Sequence, residues 1–184
     1  MRILLVPLLF VLGCTEPPDP ALALRELATA NAEGVYQAIY DGVEAQEGID
    51  LWNPGEGYTG SGTLALPTAE GEAFGLDGAL EVDWTLAWSE SDYGSFLWDW
   101  TFAVDYAPLV LPSCEATGAA TWAMTYEFYD FVQADHTFAG TLALDDGGPL
   151  DVAYTAHWSG NLHNVHGTLG ETAVDWENPD PDLP

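Results

Sequence analysis

The sequence predicts a mainly β protein in which an N-terminal helix packs on a strongly curved antiparallel meander of about eight strands. The meander is either open or closed into a barrel. Three observations support this fold class. The chain has 184 residues, which is enough for one domain with a sizeable core. Apolar residues near the N-terminus recur at helical spacing, whereas from Tyr58 onward they alternate with polar residues, as in half-buried strands.

The helical segment begins after a Pro-rich stretch. Asp19 followed by Pro20 is typical of an N-cap and a first-turn proline. From residue 21 to about 47 the apolar side chains form one stripe, which Gly34 is placed to interrupt. We expect this stripe to pack on the sheet. Its members are Leu24, Leu27, Val35, Ile39 and Val43.

The rest of the chain has the two-residue period of β-strands. In "LEVDWTLAW", residues 80–88, the apolar residues occupy the even positions, and "FLWDWTFAVDY", residues 96–106, repeats this alternation. Each strand therefore has an apolar and a polar face, as expected for an antiparallel sheet covered on one side. The predicted strands lie near 58–66, 78–89, 95–106, 118–132, 136–144, 150–159, 162–170 and 172–176.

The first fourteen residues, MRILLVPLLFVLGC, have the shape of a secretory signal whose apolar run is too short to span a bilayer permanently. Val11-Leu12-Gly13-Cys14 resembles the lipobox of bacterial lipoproteins. This resemblance implies cleavage before Cys14 and lipid attachment to that cysteine. Thr15, in place of Asp, implies sorting to the outer membrane, facing the periplasm or the exterior. The alternative is an ordinary secretory signal with a fortuitous cysteine.

These features divide the chain into four parts. We expect a signal peptide at 1–13, a tether at 14–20, a single helix-plus-β domain at 21–176 and a disordered tail at 177–184. The only membrane contact predicted is the N-terminal lipid.

The charge of the chain is strongly negative. Asp and Glu number 30, and the only basic residues are Arg2 and Arg25. Nucleic-acid binding is excluded, because phosphates must be neutralised by cationic side chains. Most carboxylates must be solvated and mutually repelling, which favours solubility.

Three of the four histidines lie in "HWSGNLHNVH", residues 157–166. A two-residue turn at Gly160-Asn161 would pair Trp158 with His163 and place His157 diagonal to His166 on the polar face. These two histidines are candidate zinc ligands. However, zinc needs three or four converging ligands, so hairpin histidines without a metal are the favoured interpretation.

The preceding hairpin places the fourth histidine. "DDGGP" must form an odd loop of three or five residues to keep the apolar residues of both strands on one face. The five-residue register sets His136 opposite Trp158, so that His136 and His163 flank Trp158 on the inner face. "DDGGPLD", residues 145–151, offers oxygen ligands for calcium, but its spacing does not match an EF-hand. No cofactor is predicted, and zinc and calcium are alternatives only.

The apolar face is rich in tryptophan, which permits two interpretations. Six of the eight tryptophans fall on it. They form either a core closed by the helix or a concave, aromatic-lined surface that takes a hydrophobic small molecule beside His136 and His163. A lipidated helix-plus-meander is similar in architecture to the bacterial lipoprotein carriers, by analogy of fold only. The six are Trp84, Trp88, Trp98, Trp100, Trp122 and Trp158.

No catalytic motif is present. The sequence lacks a GxSxG elbow, a P-loop and an HExxH motif, and with 30 carboxylates a close acidic pair carries no information. We therefore expect a lipid-anchored, non-enzymatic binding or structural protein of the cell envelope. The alternatives are a carrier of a hydrophobic ligand, and a metal-binding protein or metal-dependent enzyme using His157 and His166. Nothing in the sequence identifies a protein partner.

Overall fold

The structure, a computed structural model, describes residues 18–46, 49–51, 57–66, 78–90, 96–128 and 132–179. The predicted signal peptide, Cys14 and most of the tether lie outside the described residues, as does 180–184 of the predicted tail. Among the described helices, none has the length and apolar character needed to cross a membrane.

The N-terminal segment is one helical rod in three parts: α1 (Pro20–Thr29), a π-helical turn (Ala30–Val35) and α2 (Tyr36–Glu44). The Asp19 side chain accepts a hydrogen bond from the Ala21 N–H, which confirms the predicted N-cap. The interruption expected at Gly34 is the π-helical turn itself, which leaves the rod continuous. One extra residue per turn rotates the apolar stripe, so that the buried residues of α1 and α2 face the same sheet.

The sheet is an eight-stranded antiparallel meander with its strands in sequence order, which confirms the predicted fold class. It is open rather than closed into a barrel, with β1 and β8 as its two edges. Its strands are β1 (Tyr58–Leu66), β2 (Gly78–Glu90), β3 (Phe96–Val110), β4 (Glu115–Phe128), β5 (Val132–Leu144), β6 (Pro149–Trp158), β7 (Leu162–Leu169) and β8 (Thr172–Glu177).

Most strand limits agree with the prediction, and the differences have local causes. β3 continues past residue 106 through a β-bulge between Tyr106 and Leu109. β5 begins at Val132, earlier than the predicted start near residue 136. In the added stretch Ala134 points to the core while Gln133 and Asp135 point outward, so the alternation of the strand continues there. β8 includes Glu177, which the sequence assigned to the tail.

The helix lies on what we call the inner face of the sheet, which carries the even-numbered residues of β2–β6; the opposite side is the outer face. α1 contacts β7 and β8, and α2 contacts β1, so the rod extends from one edge strand to the other. Leu24, Leu27 and Ile39 are at most 2% exposed in this interface. The helix thus closes the apolar face, as the sequence predicted for a core.

A buried polar group ties the helix to the sheet. Asn31, in the π-helical turn, is completely buried. Its Oδ1 accepts a hydrogen bond from the Tyr106 hydroxyl at 2.5 Å, and its Nδ2 donates to the Tyr154 hydroxyl at 2.8 Å. Burial raises the pKa of both tyrosines, so both hydroxyls stay protonated. This bridge between β3 and β6 fixes the position of the helix, because an unpaired buried amide would be costly.

Candidate functional site

The aromatic residues of the inner face form the core of the domain. Four of the six predicted tryptophans are at most 3% exposed: Trp84, Trp98, Trp100 and Trp122. The other two, Trp88 and Trp158, are half-buried where β2 and β6 end. Side chains of α2 cover part of this face, since Tyr40 stacks on Trp98 and Tyr36 meets the edge of Trp100. Four of the six tryptophans are therefore enclosed in the core, and α2 contacts two of them.

His136 is part of this core. Its ring stacks on Trp122, with 5.6 Å between ring centroids, and its Nδ1 accepts a hydrogen bond from Trp122 Nε1 at 3.1 Å. This assigns the ring hydrogen to Nε2, which has no hydrogen-bond partner among the described residues. Burial lowers the pKa of His136 to about 4, so the ring is neutral at physiological pH.

The predicted inner pair of His136 and His163 does not form. The loop between β5 and β6 takes the shorter, three-residue register, so His136 lies opposite Ala156 and Trp158 lies opposite Ala134. A β-bulge then shifts β7, pairing Trp158 with Leu162 instead of His163. The bulge accommodates His163 as an extra residue, and its ring contacts that of His157, 5.4 Å between centroids.

His157 and His166 lie on the outer face but bind different partners. His157 Nδ1 is 2.8 Å from Asp135 Oδ1 on β5. His166 is flanked by two carboxylates of β8: its Nδ1 is 2.5 Å from Asp175 Oδ1 and its Nε2 is 3.2 Å from Glu177 Oε1. The predicted metal pair is therefore two separate histidine–carboxylate groups.

Two carboxylates of the acidic loop, which was predicted as an alternative calcium site, accept hydrogen bonds from the protein itself. Asp145 Oδ1 accepts a hydrogen bond from the Glu115 N–H at 2.9 Å. Asp151 Oδ1 accepts one from Thr141 Oγ1 at 3.1 Å, on a neighbouring strand. These two carboxylates are thus held by different strands.

The outer face also has a groove that sequence reasoning missed. It crosses β1 to β5 and has a volume of about 710 Å³. Alanines at 103, 119 and 139 line it: Ala103 and Ala139 are the two cross-strand neighbours of Thr121, and Ala119 lies between Asp105 and Thr141. Hydroxyl groups line it at Ser61, Thr63, Thr121 and Thr141. The alternation of Ala with polar residues was the available sequence signal.

Three carboxylates face this groove without a partner. Glu81 lies directly opposite Asp105 in the β2–β3 register, and Asp83 is two residues farther along β2. Among the described residues, none of the three has a hydrogen-bond donor or an ion-pair partner. Like charges directly opposite in a sheet are destabilising.

Some carboxylates elsewhere on the outer face have hydrogen-bond donors. Asp99 accepts hydrogen bonds from Ser89 Oγ at 2.6 Å and from Thr125 Oγ1 at 2.9 Å. The one described basic residue, Arg25, lies over the ring of Trp176 on the helix side of the sheet, 5.4 Å from its centroid. No protein cation of the described chain therefore reaches the groove.

Together these features define an open, helix-backed antiparallel meander with an acidic groove on its exposed face. Comparison of the chain with protein-family models, curated proteins and solved structures finds no match. The functional argument therefore depends on the geometry and chemistry of this chain alone.

Proposed function

We propose that this protein is a lipid-anchored, non-enzymatic binding protein of the cell envelope whose outer groove takes a small linear polyamine. The observation that carries this proposal is the set of three unpartnered carboxylates, Glu81, Asp83 and Asp105, facing one groove. The anchor and the location rest on the resemblance of Val11–Cys14 to a lipobox.

The size of the groove favours a small molecule. Its volume of about 710 Å³ lies within the range of about 300–1,000 Å³ that small-molecule sites occupy. It crosses five strands, and with about 4.8 Å between neighbouring strands its length is about 19 Å. This shape suits an extended chain better than a compact ligand.

The lining of the groove matches the two parts of a polyamine. Ammonium groups would be hydrogen-bonded by the carboxylates and relieve the repulsion between Glu81 and Asp105. The three carboxylates lie on β2 and β3, so they would hold an ammonium end of the ligand, and its methylene segments would extend over Ala119 and Ala139 on β4 and β5. A cation from solution is needed for this, because Arg25 lies on the other side of the sheet.

The aromatic alternative has less support. Four tryptophans are buried in the core, and tyrosines of α2 pack on two of them. A hydrophobic carrier would have to displace this packed helix before its ligand could reach the aromatic face. We therefore place the binding surface on the outer face.

Isothermal titration of the full chain with spermidine in 150 mM NaCl tests the proposal. The variant Glu81→Gln/Asp83→Asn/Asp105→Asn removes the three groove carboxylates. Because exposed ion pairs contribute about 0.2–1 kcal/mol each, we expect its affinity to fall about threefold to 150-fold.

The matched control is Glu44→Gln/Asp146→Asn/Glu171→Gln, which removes three exposed carboxylates outside the groove. We expect it to bind spermidine like the wild type. Equal losses in the two variants would mean that binding is diffuse attraction to an acidic surface, and the proposal would be wrong.

A further inference from the structure

His166 lies between two carboxylates on the outer face, at the opposite edge of the sheet from the groove. Its Nδ1 is 2.5 Å from Asp175 Oδ1 and its Nε2 is 3.2 Å from Glu177 Oε1. Asp175 is the direct cross-strand partner of His166, and Glu177 follows it on the same face of β8. Both ring nitrogens therefore lie within 3.2 Å of a carboxylate oxygen.

A neutral imidazole satisfies only one of these two groups. It has one N–H donor, and its other nitrogen presents a lone pair. If the hydrogen is on Nδ1 and is donated to Asp175, Nε2 keeps a lone pair beside the Glu177 carboxylate, 3.2 Å away. A metal ion that binds both the lone pair and a carboxylate oxygen would relieve this repulsion.

We propose that a zinc ion binds here, with His166 Nε2 and Glu177 Oε1 as ligands and Asp175 orienting the ring. Zinc ligands lie about 2.0–2.2 Å from the metal, and two of them at a tetrahedral angle are about 3.3–3.5 Å apart. The observed 3.2 Å separation is close to this value.

The role of Asp175 follows a common second-shell arrangement. A metal-binding histidine generally donates its other N–H to a carboxylate or carbonyl, which fixes the tautomer and increases ligand basicity. Asp175 Oδ1 is within hydrogen-bond distance of Nδ1 and meets this requirement. One potential ligand atom from each of the three residues lies within 4.8 Å of the others, so the three side chains form one cluster.

The exposure of the cluster leaves room for water to complete the coordination shell. The side chains of His166, Asp175 and Glu177 are 41%, 83% and 70% exposed. The zinc would therefore have exchangeable positions, as in an open site. His157 does not belong to this site, because its Nδ1 is next to Asp135 and Asn164 separates it from Glu177 in the register.

Zinc titration of the full chain by calorimetry tests this proposal, in 150 mM NaCl with 1 mM magnesium to occupy weak acidic sites. We expect one zinc per chain in the wild type. His166→Gln and Glu177→Gln each remove a ligand and should weaken binding about tenfold or more, and Asp175→Asn should weaken it about 10–100-fold.

His157→Gln is the matched control, since it removes a histidine that also faces a carboxylate on the outer face. It should bind zinc like the wild type, as should the groove variant that lacks Glu81, Asp83 and Asp105. Zinc affinity in His166→Gln equal to that of the wild type would overturn the site. Failure of the wild type to bind zinc would also overturn it.

Discussion

Acid should destabilise this protein through His136, a neutral histidine buried in the core. Burial is the main cause that lowers its pKa to about 4; His157 lowers it further, and Asp135 opposes the shift. The acceptor role of Nδ1 toward Trp122 adds a structural reason, because a proton on Nδ1 would face the Trp122 N–H. Protonation therefore costs both desolvation and a hydrogen bond.

The size and direction of the effect follow from linkage. The unfolded chain binds a proton at His136 near pH 6.5, whereas the folded chain binds it only near pH 4. The contribution of His136 to stability is therefore fully present above pH 6.5 and is lost as the pH falls from 6.5 to 4. The complete loss is about 3 kcal/mol, of which about 2 kcal/mol is lost between pH 7.5 and pH 5.

The assay is urea unfolding of the wild type and His136→Phe at pH 7.5 and pH 5.0. The many carboxylates also change protonation, but they do so in both proteins and cancel in the difference. We expect the wild type to lose about 2 kcal/mol more than the variant between the two pH values. His163→Gln, a half-buried histidine outside the core, is the control and should follow the wild type.

The measurement can refute the reasoning directly. If wild type and His136→Phe lose the same free energy of unfolding, His136 does not titrate differently in the folded and unfolded states. Its buried, neutral role in the core would then be wrong.

Two further predictions concern the sheet and the anchor. Gly140→Ala should destabilise the domain by about 1–3 kcal/mol in urea unfolding, because a Cβ there would clash with the Ala120 Cβ. Gly62→Ala, whose Cβ meets nothing within 4 Å, should change stability little, and equal losses in the two variants would contradict this. Cys14→Ser should move the protein from the membrane to the soluble fraction of lysed cells and remove the lipid mass of the N-terminal fragment; an unchanged distribution and mass would refute lipid anchoring.

Alternation of apolar and polar residues was sufficient to predict the sheet, because the strands are covered by the helix on one face only. Residues 80–88 and 96–106 belong to β2 and β3, as predicted. The N-cap at Asp19 is a local signal and was also predicted correctly. Features set within one strand or one turn can thus be derived from the sequence.

The register of the hairpins was harder to predict than the strands themselves, because it depends on small differences between turns. Both three- and five-residue loops keep the apolar faces of β5 and β6 aligned, and the structure adopts the shorter register. In the next hairpin His157 pairs with Asn164, but the bulge pairs Trp158 with Leu162 and not with His163 as predicted. Each of these changes relocates a histidine while leaving the hydrophobic pattern intact.

The groove could not be predicted, because it depends on neighbours in five strands at once. Glu81 and Asp105 come together only through the β2–β3 register. The unpartnered state of their carboxylates depends on the position of every nearby donor. The His166 cluster likewise needs β8 to place Asp175 and Glu177 beside the ring.

The central claim is that the binding surface is the outer groove and not the aromatic face. Amide NMR of the full chain during spermidine titration tests it most directly. We expect saturable shifts concentrated at Ala103, Thr121 and Ala139, which line the groove. Shifts spread evenly over the acidic surface, or concentrated around Trp88 and Trp158, would contradict the account.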